Sequence, residues 1–169
     1  QVDVTDVNGE TRSNTVDFRV GYKTLELRVV SPDVLNVKDL PKMSVVAQNL
    51  NGVEEFVSGT LSVYELKQPV KVFRKRLWDQ PDKHLYTKQE YYQLFPNDLY
   101  DDETNHYKWE KLKKSFTRNF NTATDKNSVI AEFKNLSPGV YLVEGVCKDK
   151  FGEEVKSVNY LTVYDPSSA

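Results

Sequence analysis

Residues 136–153 have the sequence LSPGVYLVEGVCKDKFGE, which is typical of the last hairpin of an antiparallel sheet. The opening Leu-Ser-Pro-Gly predicts a turn, because proline and glycine favour the backbone conformations that turns need. A long strand follows through Tyr141, Val143 and Cys147, and residues 150–153 turn the chain back. Alternating side chains over 158–164 then complete the predicted hairpin.

Most of the remaining chain repeats this pattern of short strands and turns. Apolar alternation predicts strands over 25–29, 43–48, 56–66 and 129–133. Residues 34–42 predict a loop, and Asn8-Gly9 and Asn51-Gly52 predict tight turns because both positions tolerate positive φ. Apart from the first hairpin, about six short strands with no repeating helix between them, and room for a seventh within residues 67–127, predict an all-β chain. The specific expectation is an immunoglobulin/fibronectin-like antiparallel β-sandwich, with a barrel as the alternative.

One long segment interrupts the strand pattern, from Lys67 to about residue 127. It has few turn glycines and many aromatic and charged residues. Thr87 and Glu90 have the spacing of a capping box, which predicts a short helix that Pro96 ends. Residues 107–116 predict one or two further helical turns. The segment is therefore predicted to be a partly helical insertion of about 60 residues with its own small aromatic core.

Composition and charge bound the possible functions. The 169 residues fit one domain, or one domain and part of a neighbour. A net charge of −2 gives no overall attraction to nucleic acid or to anionic membranes. With Cys147 as the only cysteine, no internal disulfide can form. No apolar run approaches the roughly 20 residues that span a bilayer. The chain opens with a strand pattern and not with a signal segment, so any export signal is expected upstream.

Two segments of the chain resemble each other. Residues 4–10 and 147–153 both have the pattern of a strand, then x-Asp-x-x-Gly-Glu, then a second strand, with Phe18 and Val20 continuing the match. Either hairpins are simply alike, or each segment closes a similar domain. The second interpretation makes 1–21 the closing hairpin of a preceding module. Because a lone hairpin is barely stable, it is expected to pack on the following domain or pair with another chain.

The same interpretation sets the remaining boundaries. Residues 22–165 form one β-sandwich module that contains the insertion at about 67–127. Residues 166–169 are a tail or linker.

No pattern of catalytic residues is found. The sequence lacks a Gly-x-Ser-x-Gly motif and a glycine-rich phosphate loop, so we expect no enzyme and no cofactor. His106 lies near acidic residues 101–103, but a solvated acidic loop is favoured over a zinc or calcium site. The basic residues 74–76 beside Trp78 are interpreted as a solvated strand end and not as a nucleic-acid site. Cys147 is interpreted as a core thiol.

The aromatic residues of the insertion allow two interpretations. Exposed rings could stack on the apolar faces of sugars, and four candidates for contact with a ligand or partner are Trp78, Tyr92, Tyr100 and Trp109. Alternatively, these rings form the core of the insertion, because aromatic side chains bury large areas. The second interpretation is favoured, and a carbohydrate-binding or adhesive module is kept as the alternative function.

Several segments resemble a known family. These are residues 6–12, 20–23, 78–82, 95–98, 136–141 and 149–152. They look like segments of large bacterial α2-macroglobulin-like proteins, especially those of Bacteroidetes, and the last two resemble the closing hairpin of their macroglobulin domains. The resemblance covers most of the chain.

This resemblance implies an array of macroglobulin domains in an envelope-anchored, periplasmic or cell-surface protease inhibitor. Such proteins capture a protease through bait cleavage and a thioester. The thioester motif Cys-Gly-Glu-Gln is absent, and Lys148 follows Cys147, so no functional residue is transferred. The implied role is a non-catalytic structural module. Its partners would be neighbouring domains of the same chain and, through the whole protein, a target protease, with no nucleic-acid or membrane contact.

Overall fold

The computed structural model describes residues 1–17, 21, 23–125 and 128–167. The chain is mostly β, with 43% of residues in strands and 9% in helices, which confirms the all-β prediction. The strands are β1 (Val2–Thr5), β2 (Thr11–Asn14), β3 (Leu25–Val30), β4 (Val34–Asn36), β5 (Lys42–Asn49), β6 (Ser58–Leu66), β7 (Lys111–Asn121), β8 (Ser128–Val129), β9 (Gly139–Lys148) and β10 (Glu154–Tyr164). The helices are α1 (Lys88–Leu94) and the 3₁₀ helices His106–Lys108 and Ala131–Asn135.

The strands form three sheets. β1 and β2 pair only with each other, as a two-stranded sheet. A five-stranded sheet has the order β4-β10-β9-β6-β7, and a three-stranded sheet has the order β3-β5-β8. All pairs are antiparallel except β4 with β10, which is parallel. The β9–β10 hairpin predicted from residues 136–164 is confirmed.

The core contains side chains from both larger sheets. On β3, Leu25, Leu27 and Val29 are buried and the residues between them are exposed, as strand alternation requires. Tyr141 from β9 is buried in the same cluster. At Gly145 an added Cβ would lie only 2.8 Å from Val29 Cγ2, so a glycine allows the close approach of β9 and β3.

Two local predictions are wrong. The strand predicted over 129–133 ends at Val129, and a 3₁₀ helix follows over Ala131–Asn135. Both Ile130 and Phe133 are buried, and this spacing of three fits a tight helical turn better than a strand. The loop predicted over 34–42 contains the short strand β4, which lies at the edge of the five-stranded sheet.

The insertion is shorter than predicted. Residues 111–121 form β7, which pairs with β6, so the segment outside the sheets covers residues 67–110, and "the insertion" hereafter means this range. The helical turns predicted over 107–116 are confined to the 3₁₀ helix His106–Lys108. The sequence leaves room for a seventh strand in this segment but does not locate β7, because β7 is an edge strand whose side chains are largely exposed or half-buried and its apolar alternation is weak.

The helix predicted by the capping box is confirmed. Thr87 is the N-cap of α1, its side chain accepts from the Glu90 N–H, and the Glu90 carboxylate accepts from the Thr87 N–H. The helix ends at Leu94, before Pro96.

The turn of the first hairpin is confirmed between β1 and β2, but β2 ends at Asn14, before Val16, where the alternation of the return strand was expected to begin. Its predicted continuation through Phe18 and Val20 lies outside the described residues. Each residue from 1 to 17 is exposed, so this part of the hairpin does not pack on the following domain as expected. Pairing with another chain, and the domain boundary at residue 21, remain predictions.

The sequence repeat is also a repeat of backbone geometry. Asp6 Oδ1 accepts from the N–H groups two and four residues ahead at 2.9 Å, and Asp149 Oδ1 does the same at 2.9 Å. Gly9 and Gly152 have φ of 84° and 88°.

The strand register matches as well. Thr5 is opposite Thr11 in the first hairpin, and the corresponding pair in the second is Lys148 opposite Glu154. The turn alone is not specific, because Asn49 makes the same two hydrogen bonds in its own turn. The resemblance therefore depends on the turn, the register and the following glutamate together.

Candidate functional site

The insertion connects β6 to β7 and lies against the outer face of the five-stranded sheet. Its two ends are joined where the Lys67 N–H donates to the Glu110 carbonyl at 2.9 Å. The rings of His106 and Tyr107 lie 4.9 and 4.7 Å from the ring of Tyr160 on β10. Leu142 is buried although it does not belong to the core cluster between the sheets. We infer that residues 106–107 of the insertion cover the part of this face around Tyr160.

The centre of the insertion is a cluster of aromatic rings. Tyr91 lies 5.2 Å from Phe95, 5.4 Å from Tyr100 and 6.1 Å from Tyr92, in tilted or edge-on arrangements that aromatic rings favour. Phe73 joins the cluster through Tyr92 at 5.9 Å. None of the residues of the insertion is fully buried. The predicted aromatic core therefore exists, but it is half-buried.

Glu103 joins this cluster to the rest of the insertion. Its carboxylate accepts from the Tyr92 hydroxyl at 2.6 Å and the Asp101 N–H at 2.9 Å, and it pairs with Lys88 at 2.7 Å. Its backbone carbonyl accepts from Trp109 Nε1 at 2.8 Å. The polar atoms of Tyr92 and Trp109 are thus used inside the insertion.

These contacts shift the pKa values of Glu103, Tyr92 and Lys88. Partial burial acts to raise the pKa of Glu103, but the hydrogen bonds from Lys88 and Tyr92 outweigh it and lower the pKa to about 2. Burial, followed by the hydrogen bond to Glu103, raises the pKa of Tyr92 to about 12. The hydrogen bond to Glu103 is also the main reason that the pKa of Lys88 is raised. Glu103 is therefore a carboxylate at neutral pH and stabilises the insertion.

Trp78 has a different environment from the other candidates. Its side chain is 67% exposed and lines two adjoining cavities of about 140 and 230 Å³. Arg76, Tyr91 and Asp98 line both cavities. We call these two cavities the Trp78 cleft. The larger one is also lined by His84, which stacks on Tyr100 at 4.0 Å.

Arg76 organises the wall of the Trp78 cleft. Its Nη2 donates to the carbonyl oxygens of Leu99, Tyr100 and Asp101 at 2.9, 3.2 and 3.2 Å. Its Nη1 is shielded from solvent and has no hydrogen-bond partner among the described residues. The interpretation of residues 74–76 as a solvated strand end is therefore wrong for Arg76. No sequence spacing could reveal this role, because it depends on how residues 97–101 fold back.

The four predicted contact residues lie in three places. Tyr92 and Tyr100 lie together in the aromatic cluster with ring centroids 6.4 Å apart, and Tyr100 also lines the larger cavity of the Trp78 cleft. Trp109 packs edge-on against His106 at 6.3 Å, and Trp78 lies in the cleft. Whether any of the four binds a ligand remains a prediction.

The other reactive side chains considered in the sequence, Cys147 and His106, are packed against neighbouring side chains. Cys147 is 3% exposed in the core, and burial raises the pKa of its thiol, so the prediction of a core thiol is confirmed. His106 lies among aromatic rings. Within the described residues there is no group of three or more His, Cys, Asp or Glu side chains placed to hold a metal ion.

Comparisons with known proteins give no relative. A scan of protein-family models and searches of curated proteins and of solved structures found no match to this chain. In the described part of the chain, no helix has the length and apolar character needed to cross a membrane.

Proposed function

We propose that this chain is a non-catalytic structural module with an immunoglobulin/fibronectin-like sandwich fold. The strand order supports this fold. If β3, β5 and β8 are taken as strands A, B and E, the other sheet contains G, F, C and C′ in the order of β10, β9, β6 and β7. This division of strands is that of immunoglobulin-like sandwiches with an added C′ strand.

A tyrosine corner gives independent support for the same fold. Tyr141 lies near the start of β9, the strand that corresponds to F, and is 2% exposed. Its hydroxyl donates to the Ser137 carbonyl at 2.8 Å, four residues upstream. A buried tyrosine bonded in this way at the E–F corner is a hallmark of these sandwiches.

We further propose that the module belongs to an array in an α2-macroglobulin-like protease inhibitor of the periplasm or cell surface. The observation that carries this proposal is the first hairpin, which repeats the turn and register of the closing hairpin β9–β10. Val4 is 63% exposed, whereas its counterpart Cys147 is 3% exposed in the core. A preceding module would bury Val4 in the same way.

A protease titration tests the scaffold role. A module without bait segment or thioester makes no covalent or trapping contact, so the purified chain is expected to leave protease activity unchanged at equimolar concentration. Activity towards a protein substrate, with trypsin and subtilisin as the proteases, is the measurement. Stoichiometric inhibition by the chain alone would contradict the scaffold role.

A second candidate function is carbohydrate binding, and the exposed Trp78 favours it. A largely exposed indole beside a cavity with a few polar groups is typical of a small-molecule site. In this respect Trp78 differs from Tyr92 and Trp109, whose polar atoms form hydrogen bonds within the insertion.

A further inference from the structure

The smaller cavity of the Trp78 cleft has an excess of positive charge. It is lined by Arg74, Lys75 and Arg76 and by one carboxylate, that of Asp98. The Arg74–Asp98 pair is long, at 3.9 Å, and the Arg74 side chain is 75% exposed, so solvent screens it strongly. Lys75 and Arg76 form no ion pair with any described residue. The cleft therefore favours an anionic ligand.

Arg76 also has unused hydrogen-bonding capacity at the cleft. While Nη2 donates to three carbonyl oxygens, Nη1 has no acceptor among the described residues. A shielded N–H group without a partner is unfavourable, and a carboxylate that reaches it forms a strong charge-assisted hydrogen bond. Because Nη1 is shielded, a ligand reaches it only after a small displacement of the side chains around it.

The other two features of the cleft restrict the kind of anion. The exposed face of Trp78 offers an apolar surface for a ring. The Asp98 carboxylate can only accept hydrogen bonds, so it requires donors such as hydroxyl groups. A sugar ring with a carboxylate supplies all three complements: an apolar face for Trp78, hydroxyl groups for Asp98, and a negative charge for Arg76 and Lys75.

We propose that the Trp78 cleft binds a uronic acid residue of an acidic glycan. The inference rests on the carbohydrate-binding candidate and names its ligand class. Single-stranded nucleic acid also combines rings with negative charge, but its successive bases require several stacking platforms, whereas Trp78 is the most exposed ring of the cleft.

The test is an NMR titration of the ¹⁵N-labelled full chain with trigalacturonic acid and with its methyl ester. The ester keeps the sugar rings and removes the charge. The chain has two tryptophans, so two indole N–H signals report binding. The acid is expected to shift the signal of Trp78 and to leave that of Trp109, whose N–H is bonded to Glu103, unchanged. The ester is expected to bind at least about fivefold more weakly because it cannot pair with Arg76.

Three variants complete the test. Trp78→Ala lacks the reporting indole, so its affinity is measured from shifts of the backbone amide signals, and it is expected to weaken binding of the acid at least about tenfold through loss of the stacking surface. Lys75→Gln, which leaves the Arg76 contacts intact, is expected to weaken it about threefold through loss of charge. Phe151→Ala is the matched control, because this ring is 70% exposed at the β9–β10 turn and outside the cleft. It is expected to leave binding unchanged.

The outcomes distinguish failure of the uronic acid assignment from failure of sugar binding and of the scaffold role. Equal affinity for acid and ester would overturn the uronic acid assignment and leave sugar binding standing. No shift of the Trp78 signal with either saccharide would overturn both, without touching the scaffold role that the protease titration tests. If folded Trp78→Ala binds the acid with unchanged affinity, the Trp78 cleft is not the binding site. Tighter binding of oligothymidylate than of trigalacturonic acid would assign the cleft to nucleic acid instead.

Discussion

Tyr141 joins the turn before β9 to the core by placing a buried ring and a bonded hydroxyl group at the same corner. The hydroxyl donates to Ser137 at 2.8 Å, and the ring is among the largest fully buried side chains. Burial is the main cause of the raised pKa of this phenol, so the hydroxyl stays protonated and donates at physiological pH.

Removing this hydroxyl tests the tyrosine corner. Tyr141→Phe keeps the ring but leaves the Ser137 carbonyl without its donor, and is expected to lower the free energy of unfolding by about 1 kcal/mol. Urea unfolding followed by circular dichroism measures the change. The matched control is Tyr164→Phe, whose ring is 45% exposed and which should have no measurable effect. Equal stability of Tyr141→Phe and the unchanged protein would argue against the corner.

Single residues of the insertion differ in whether their contacts could be predicted from the sequence. The capping box at Thr87 was predictable because both its partners lie within three residues. The roles of Glu103 and Arg76 were not, because their partners are brought together by folding of the whole insertion. Local patterns specify local contacts, and these two residues act at longer range.

Among the elements, the insertion depends most on one ionised group. The Glu103 side chain is 13% exposed and contacts Tyr92, Lys88 and Asp101. Its pKa of about 2 lies below the ordinary value of 4.5. A carboxylate with a lowered folded pKa contributes its full stabilisation above pH 4.5, and that contribution is lost as the pH falls towards 2.

Glu103→Gln is therefore expected to destabilise the insertion by about 2 kcal/mol at pH 7, because it removes the charge that pairs with Lys88. At pH 2 the difference between the two proteins should almost disappear. Tryptophan fluorescence during urea unfolding reports this element selectively, since both Trp78 and Trp109 lie in the insertion. The matched control is Glu110→Gln, whose side chain is 75% exposed in its pair with Lys67 and which should change little. A difference that stays constant from pH 7 to pH 2 would contradict the role of the Glu103 charge.

The strands differ in how well the sequence predicts them. β3 was predictable because alternate residues are buried and exposed, and β9 because its core-facing apolar residues follow a clear turn. β7 lies at a sheet edge and has lysines at positions 111, 113 and 114, which weaken the apolar pattern. Charged side chains on an edge strand oppose pairing with other molecules. The lysines that weaken the apolar pattern of β7 therefore also disfavour its pairing with a second molecule. β4 and β8 are too short, at three and two residues, to show a period.

At the scale of the whole molecule, the all-β class predicted from the sequence is confirmed, but the order of the strands within the sheets could not be predicted. The order of strands depends on pairings between distant segments, such as β4 beside β10, that no local pattern encodes. The match between the first hairpin and β9–β10 was visible in the sequence because turn residues are specified locally. Residues 1–21 were expected to pack on the following domain or to pair with another chain, and the exposure of residues 1–17 leaves the second of these as a prediction.

Whether the first hairpin closes a preceding module of an array can be determined from the coding sequence on both sides of the chain. We expect an upstream module of short β-strands that leads into residue 1, and a Cys-Gly-Glu-Gln thioester motif downstream. A start codon immediately before residue 1, or an upstream region without β-strand patterns, would show that no such module precedes the hairpin. In that case the exposed hairpin would need a different partner, and carbohydrate binding at the Trp78 cleft would be the function that the structure still supports.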